Sequence, residues 1–167
     1  MRHLALAALI AAPCLAQTGS VTFYSNALTA KEVVKLTLVP VGEQPFTGWL
    51  FDGPQRLAQA RAGRFMTFHL AAGTHSFTVP WNSKGPGKKP VLTLNVEEGG
   101  NYCIRLSAKY VTGAPVLPVG WADSRIQQVP CQRAFQEART AKPLESKRVD
   151  PAVRANFDPA ATFPRQN

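Results

Sequence analysis

Arg64-Phe65-Met66-Thr67-Phe68-His69-Leu70 runs into Ala71-Ala72-Gly73-Thr74, and Ser76-Phe77-Thr78-Val79 follows. Phe65, Thr67 and His69 alternate with Met66, Phe68 and Leu70, the period of two that lets a pleated strand bury one face. Phe77 and Val79 resume the alternation beyond the glycine, so the stretch predicts a strand, a tight turn and a returning strand. Upstream, Trp49-Leu50-Phe51, the turn Asp52-Gly53 and Gln55 to Ala60 predict a second hairpin. Val21-Thr22-Phe23-Tyr24 reads as a strand. So does Val33 to Val41, with Val34, Leu36 and Leu38 on one face and Val33, Lys35, Thr37 and Val39 on the other. Downstream, Val91 to Val96 and Asn101 to Leu106 are two more strands, separated by Glu97-Glu98-Gly99-Gly100. Before them, after Val79, Asn82 to Pro90 is dense in Gly, Pro, Asn and Lys and reads as an exposed loop between strands. About seven short strands at this spacing, without βαβ alternation or an internal repeat, predict a mainly β chain folded as an antiparallel β-sandwich.

The pattern weakens through Gly113, Pro115, Pro118 and Gly120. It recovers at Cys131, Ala134, Phe135 and Ala138, which fall at i, i+3, i+4 and i+7. Pro130 suits a first helical turn and Lys142-Pro143 a stop, so one short C-terminal helix of about 11 residues is expected. Residues 143–167 hold few core-forming side chains and several prolines, and read as a flexible tail.

At the other end, Arg2-His3, the apolar run Leu4 to Ala12, and Pro13-Cys14-Leu15-Ala16 have the order of a secretory signal. Nine apolar residues rise only about 14 Å as a helix, too short to span a bilayer. Residues 1–16 are expected to be cleaved, leaving residues 17–142 as the sandwich domain with its helix. The alternative is lipid anchoring through Cys14 as the first mature residue; Ala11-Ala12-Pro13 fits that processing poorly. No later stretch approaches eighteen apolar residues, so no transmembrane span is expected in the mature chain. An exported location, periplasmic or extracellular, follows.

Export changes the reading of charge and cysteines. With 19 Lys and Arg against 10 Asp and Glu among 167 residues, the net charge is +9. An anionic envelope polymer or an acidic protein surface is then a better partner than nucleic acid, although a scattered, solvated positive surface is the ordinary account. In an oxidising compartment, Cys103 and Cys131 read as a structural disulfide, since redox pairs usually use C-x-x-C spacing.

Chemistry-bearing residues are sparse. His69 and His75 lack companions at ligand spacing, so neither a metal nor another cofactor is expected. No serine lies in a G-x-S-x-G elbow. Glu97 and Glu98 are adjacent and would point to opposite faces of a strand. Trp81 with Lys84, Lys88 and Lys89 could contact a sugar or phosphate ligand by ring stacking and charge, against the plainer reading of a solvated loop. Trp49, Trp81 and Trp121 read as packing residues.

Val21-Thr22-Phe23-Tyr24, Phe51-Asp52-Gly53, Gly63-Arg64-Phe65 with Phe68, Gly73-Thr74-His75-Ser76-Phe77 and Glu98-Gly99-Gly100-Asn101-Tyr102 together resemble the bacterial domain-of-unknown-function family 2846 and, more loosely, surface modules of the PEGA type. The resemblance spans Val21 to about Tyr110 and implies an exported or lipid-anchored β-sandwich without an assigned activity. The chain departs from it in its Lys/Gly/Pro loop and long C-terminus. The expected function is a non-enzymatic binding or accessory module of the cell envelope. The alternatives are an envelope hydrolase whose site is assembled only in the fold, with His69, His75 and Asp52 first in view, and an interaction protein docking through its basic C-terminal segment.

Overall fold

The computed structural model describes residues 17–26, 43–80, 92–111 and 121–163. Its strands are β1 (Thr18–Ser25), β2 (Glu43–Pro45), β3 (Gly48–Asp52), β4 (Gln55–Ala60), β5 (Arg64–Ala71), β6 (Gly73–Thr78), β7 (Leu92–Val96), β8 (Asn101–Val111) and β9 (Trp121–Val129). Helix α1 (Cys131–Glu137) follows, then β10 (Lys142–Pro143), two 3-10 turns (Ser146–Arg148 and Pro151–Asn156) and β11 (Phe157–Asp158). The chain is mainly β, with the described strands in two sheets.

The larger sheet is built on β1, which lies between β5 and β8. β8 carries β1 and then β2 along one edge and β9 along the other. The outer edge of β5 carries β10 and β11. The smaller sheet runs β4-β3-β6-β7. Pairing is mostly antiparallel, as expected. β1 with β8 and β10 with β5 are parallel, which the reading of an all-antiparallel sandwich did not foresee.

The expected β3–β4 hairpin forms, with Gly53 at φ 52° in its turn. The hairpin expected from Arg64 to Val79 does not. β5 pairs with β1 in the larger sheet, whereas β6 pairs with β3 and β7 in the smaller one. The chain therefore crosses between sheets at Ala72-Gly73, and it crosses back at Glu97–Gly100 between β7 and β8. A hairpin and such an arch share the same alternation and the same glycine signal, so only pairing tells them apart. The start of β1 ties both arches: Ala72 N donates to Gln17 O (2.8 Å), Gly99 N to Thr18 O (3.0 Å), and Ser20 N to Gly100 O (2.8 Å). The approach is so close that a Cβ on Gly19 would lie 2.6 Å from Glu97 O and from Val96 Cγ1.

The two sheets share one apolar cluster in which Phe23, Leu50, Leu57, Phe77, Leu94 and Ile104 are all buried. Phe23 of one sheet meets Phe77 of the other edge-to-face, ring centroids 4.9 Å apart. Because neighbouring strand residues point to opposite faces, Tyr24, Phe65 and Cys103 emerge on the reverse of the larger sheet. There they are covered by Cys131, Ala134 and Ala138 of the helical segment. The helix begins at Cys131 as its spacing predicts, and at seven residues is shorter than expected, with Pro130 as its cap rather than in its first turn.

The expectation of a flexible tail from residue 143 onward is corrected by residues 143–163. Leu144, Val149, Val153 and Phe157 are buried in the inter-sheet cluster, and Phe163 packs its ring against Tyr24 and Phe65. Four apolar residues spread over a polar segment carry no strand or helix period, yet each fills one gap along the open side of the sandwich. The strand expected at Val33 to Val41 and the loop from Asn82 to Pro90 lie outside the described residues.

Candidate functional site

Val149 forms a bridge with Ala58 of β4, and Asp150 N donates to Leu57 O (2.8 Å). With Val149 buried beneath, the flanking polar residues turn outward over the β3–β4 hairpin. Asp150 caps the 3-10 turn that Pro151 begins, its Oδ1 accepting from Ala152 N (3.0 Å), and its Oδ2 accepts from Arg56 Nε (2.6 Å). The guanidinium of Arg56 lies over the Trp49 ring, 4.6 Å from its centroid. Arg148 donates from Nε to Glu145 Oε2 (2.9 Å) and from Nη1 to Gln59 Oε1 (2.9 Å). A groove of about 330 Å³ results, lined among others by Trp49, Arg56, Gln59, Lys147, Arg148 and Asp150.

The groove is positively charged, with three cationic side chains and one carboxylate among its lining residues. The carboxylates that hold the arginines stay ionised to lower pH than ordinary ones. Asp150 is held below its ordinary value by the Ala152 amide and by Arg56, and Glu145 below its own by Arg148. Fixed guanidinium groups, an ammonium and an indole around an open groove can hold an anionic group. Among the described residues no three His, Cys, Asp or Glu side chains gather as a metal would require.

A second polar constellation joins Asp52 and His75. His75 Nδ1 lies 2.5 Å from Asp52 Oδ2, its Nε2 lies 2.9 Å from Ala71 O, and Asp52 Oδ1 accepts from Ser76 N (3.1 Å). Both ring nitrogens therefore face acceptors. Burial by itself would lower the His75 pKa, but the Asp52 carboxylate and the Ala71 carbonyl outweigh it and raise it above the ordinary histidine value. An imidazolium with both protons in use has no lone pair for a base or for a metal. The pair instead ties β6 to β3 and to the end of β5.

On the reverse face, Tyr24 donates its hydroxyl to Glu137 Oε2 (2.6 Å), and Arg133 Nε donates to Glu137 Oε1 (2.6 Å). Burial, followed by the Glu137 contact, pushes the phenol of Tyr24 up. Burial opposes ionisation of Glu137 too, but the hydrogen bonds from Tyr24 and Arg133 prevail and lower its pKa.

The residues singled out in the sequence are distributed as follows. Cys103 and Cys131 stand at disulfide distance, Cα atoms 5.1 Å apart and 28 positions apart in sequence, and join β8 to the start of α1 as expected. Asp52 and His75 meet. His69 does not join them, its Nε2 standing 3.8 Å from Asp158 Oδ2 at the C-terminal segment. Trp81, Lys84, Lys88, Lys89 and Cys14 lie outside the described residues. Trp49, read as a packing residue, is only half-buried and borders the groove. The groove itself went unread because Arg56 and Asp150 are 94 positions apart. The one local signal was Asp150-Pro151, a capping residue followed by proline at the first helical position.

Comparison with family models, with curated proteins and with solved structures finds no match to this chain. Among the described residues no helix is long and apolar enough to cross a membrane.

Proposed function

We propose that this chain is an exported, non-catalytic binding module of the cell envelope, and that it holds an anionic partner in the groove between the β3–β4 hairpin and residues 147–151. The observation that carries the reading is the convergence of Arg56, Lys147 and Arg148 beside Trp49. Two features favour export: the signal-like order of residues 1–16, and the Cys103–Cys131 pair, of a kind that persists in oxidising compartments. The resemblance to the domain-of-unknown-function family 2846 points the same way. The idea of docking through a basic C-terminal segment merges with this one, since Lys147 and Arg148 come from that segment.

The test is retention of the purified mature chain on envelope extracts, compared with a Lys147→Ala/Arg148→Ala variant. Salt-sensitive retention that falls at least about tenfold in the variant is expected, because each lost charge-assisted contact removes about 1.5–3 kcal/mol. Equal retention of both chains would remove the groove from the proposal. Turnover of an envelope ester or glycan by the purified chain, abolished by one substitution, would replace the binding module with an enzyme.

A further inference from the structure

We infer that this groove is shaped for a phosphoryl group, an inference that rests on the binding-module reading and narrows its ligand. Each arginine is held at its Nε by a carboxylate, Arg56 by Asp150 (2.6 Å) and Arg148 by Glu145 (2.9 Å). Pinning at Nε sets the plane of the guanidinium and leaves its terminal amino groups to act. Neither terminal nitrogen of Arg56 makes a hydrogen bond among the described residues, and Arg148 commits Nη1 alone, to Gln59. The Trp49 ring backs the Arg56 plane, so its edge can present two donors side by side. Lys147, exposed on the same rim, adds a third cationic donor that forms no hydrogen bond among the described residues.

Arg56, Lys147 and Arg148, with Arg64 beside them on Glu145, face the two carboxylates of Asp150 and Glu145, a surplus of two positive charges. A phosphomonoester near neutral pH approaches two negative charges and offers three peripheral oxygens, one for each cationic side chain of the lining. A carboxylate offers two coplanar oxygens and one charge, which a single arginine satisfies. The same dianionic phosphoryl chemistry reaches an envelope protein as a terminal monoester on a sugar or as free phosphate, whereas a bridging diester keeps one charge and two peripheral oxygens.

Isothermal titration of the intact mature chain distinguishes them, with glucose 6-phosphate, inorganic phosphate, poly(glycerol phosphate) and galacturonate as probes. Glucose 6-phosphate is expected to bind at least about tenfold more tightly than galacturonate, and more tightly at pH 7 than at pH 5, since its second ionisation falls near pH 6. Lys147→Met should weaken it roughly tenfold without shifting the thermal midpoint, because that ammonium makes no hydrogen bond among the described residues. Tightest binding of inorganic phosphate would make the free ion the source, and tighter binding of poly(glycerol phosphate), which has one charge per phosphate, would overturn the match to a dianion. Galacturonate binding as tightly as glucose 6-phosphate, or affinity indifferent to Lys147→Met, would overturn the inference. If groove-dependent retention on envelope extracts persists while no phosphate compound binds, the phosphoryl assignment alone falls. If retention does not depend on the groove either, the binding-module reading falls with it.

Discussion

His75 meets an acceptor at each ring nitrogen, so the folded chain prefers the imidazolium. Its folded pKa lies above the unfolded one, so the folded state binds the proton more tightly. The stability this contributes is complete below the unfolded histidine pKa of about 6.5 and is lost as pH rises through the folded value. The difference in unfolding free energy between the parent chain and His75→Gln should therefore shrink between about pH 6 and pH 8. A gap that stayed constant or widened over that range would show that the ring does not bear the proton. Glu137 runs the other way: with its folded pKa depressed, its contribution stands above the unfolded carboxylate value and fades as pH falls through the folded one. Tyr24→Phe removes the close donor from Glu137 Oε2 and leaves it only Arg105 Nη1 at 3.5 Å, and chemical denaturation should register a loss of about 1–3 kcal/mol at neutral pH. Asp52 and His75 were in view from the sequence only as residues that folding could bring together, and the Tyr24–Glu137 contact not at all. Asp52 and His75 stand 23 positions apart and Tyr24 and Glu137 113 apart, and no local period links them.

Residues 142–158 act as a strap: β10 and β11 extend the edge of β5, while Leu144, Val149, Val153 and Phe157 close the open side of the sandwich. Burying each such side chain contributes roughly 1.5–3 kcal/mol, so the four together rival the whole net stability of an ordinary domain. Truncation after Ala141 should therefore give a chain without a cooperative thermal transition by circular dichroism, and Leu144→Ala should cost about 2–5 kcal/mol. An unchanged melting curve for the truncated chain would mean that the strap is an ornament. Gly19→Ala tests the arches at the start of β1, where the added methyl would press on the backbone of Glu97 and on Val96. Relieving that overlap should cost about 1–3 kcal/mol in chemical denaturation. Individual strands were legible because alternation is written in consecutive residues. The strap was not, because its four anchors are spaced to reach gaps in a surface formed by other segments.

For the molecule as a whole, the Cys103–Cys131 link closes a loop of 28 positions between the larger sheet and the helix that covers its reverse face. Constraining the unfolded chain over that length contributes roughly 3–4 kcal/mol. Reduction should lower the thermal midpoint by on the order of 10 °C; a midpoint indifferent to reductant would show that the link adds nothing. The pairing was open to sequence reasoning because only two cysteines follow the signal-like segment, which leaves one intramolecular partner for each. The sequence by itself determined what depends on neighbours along the chain: strand alternation, the Asp52-Gly53 turn, the helical spacing that begins at Cys131, and the excess of basic over acidic residues. Tertiary structure decided which strands share a sheet, because Ala72-Gly73 serves a hairpin and an arch equally well and only hydrogen-bond partners distant in sequence select between them. It also decided that residues 143–163 belong to the domain, and that Arg56 of a hairpin and Lys147 and Arg148 of the strap border one groove. Burial and charge convergence are properties of surfaces that segments far apart in sequence form together, and no window along the chain contains them.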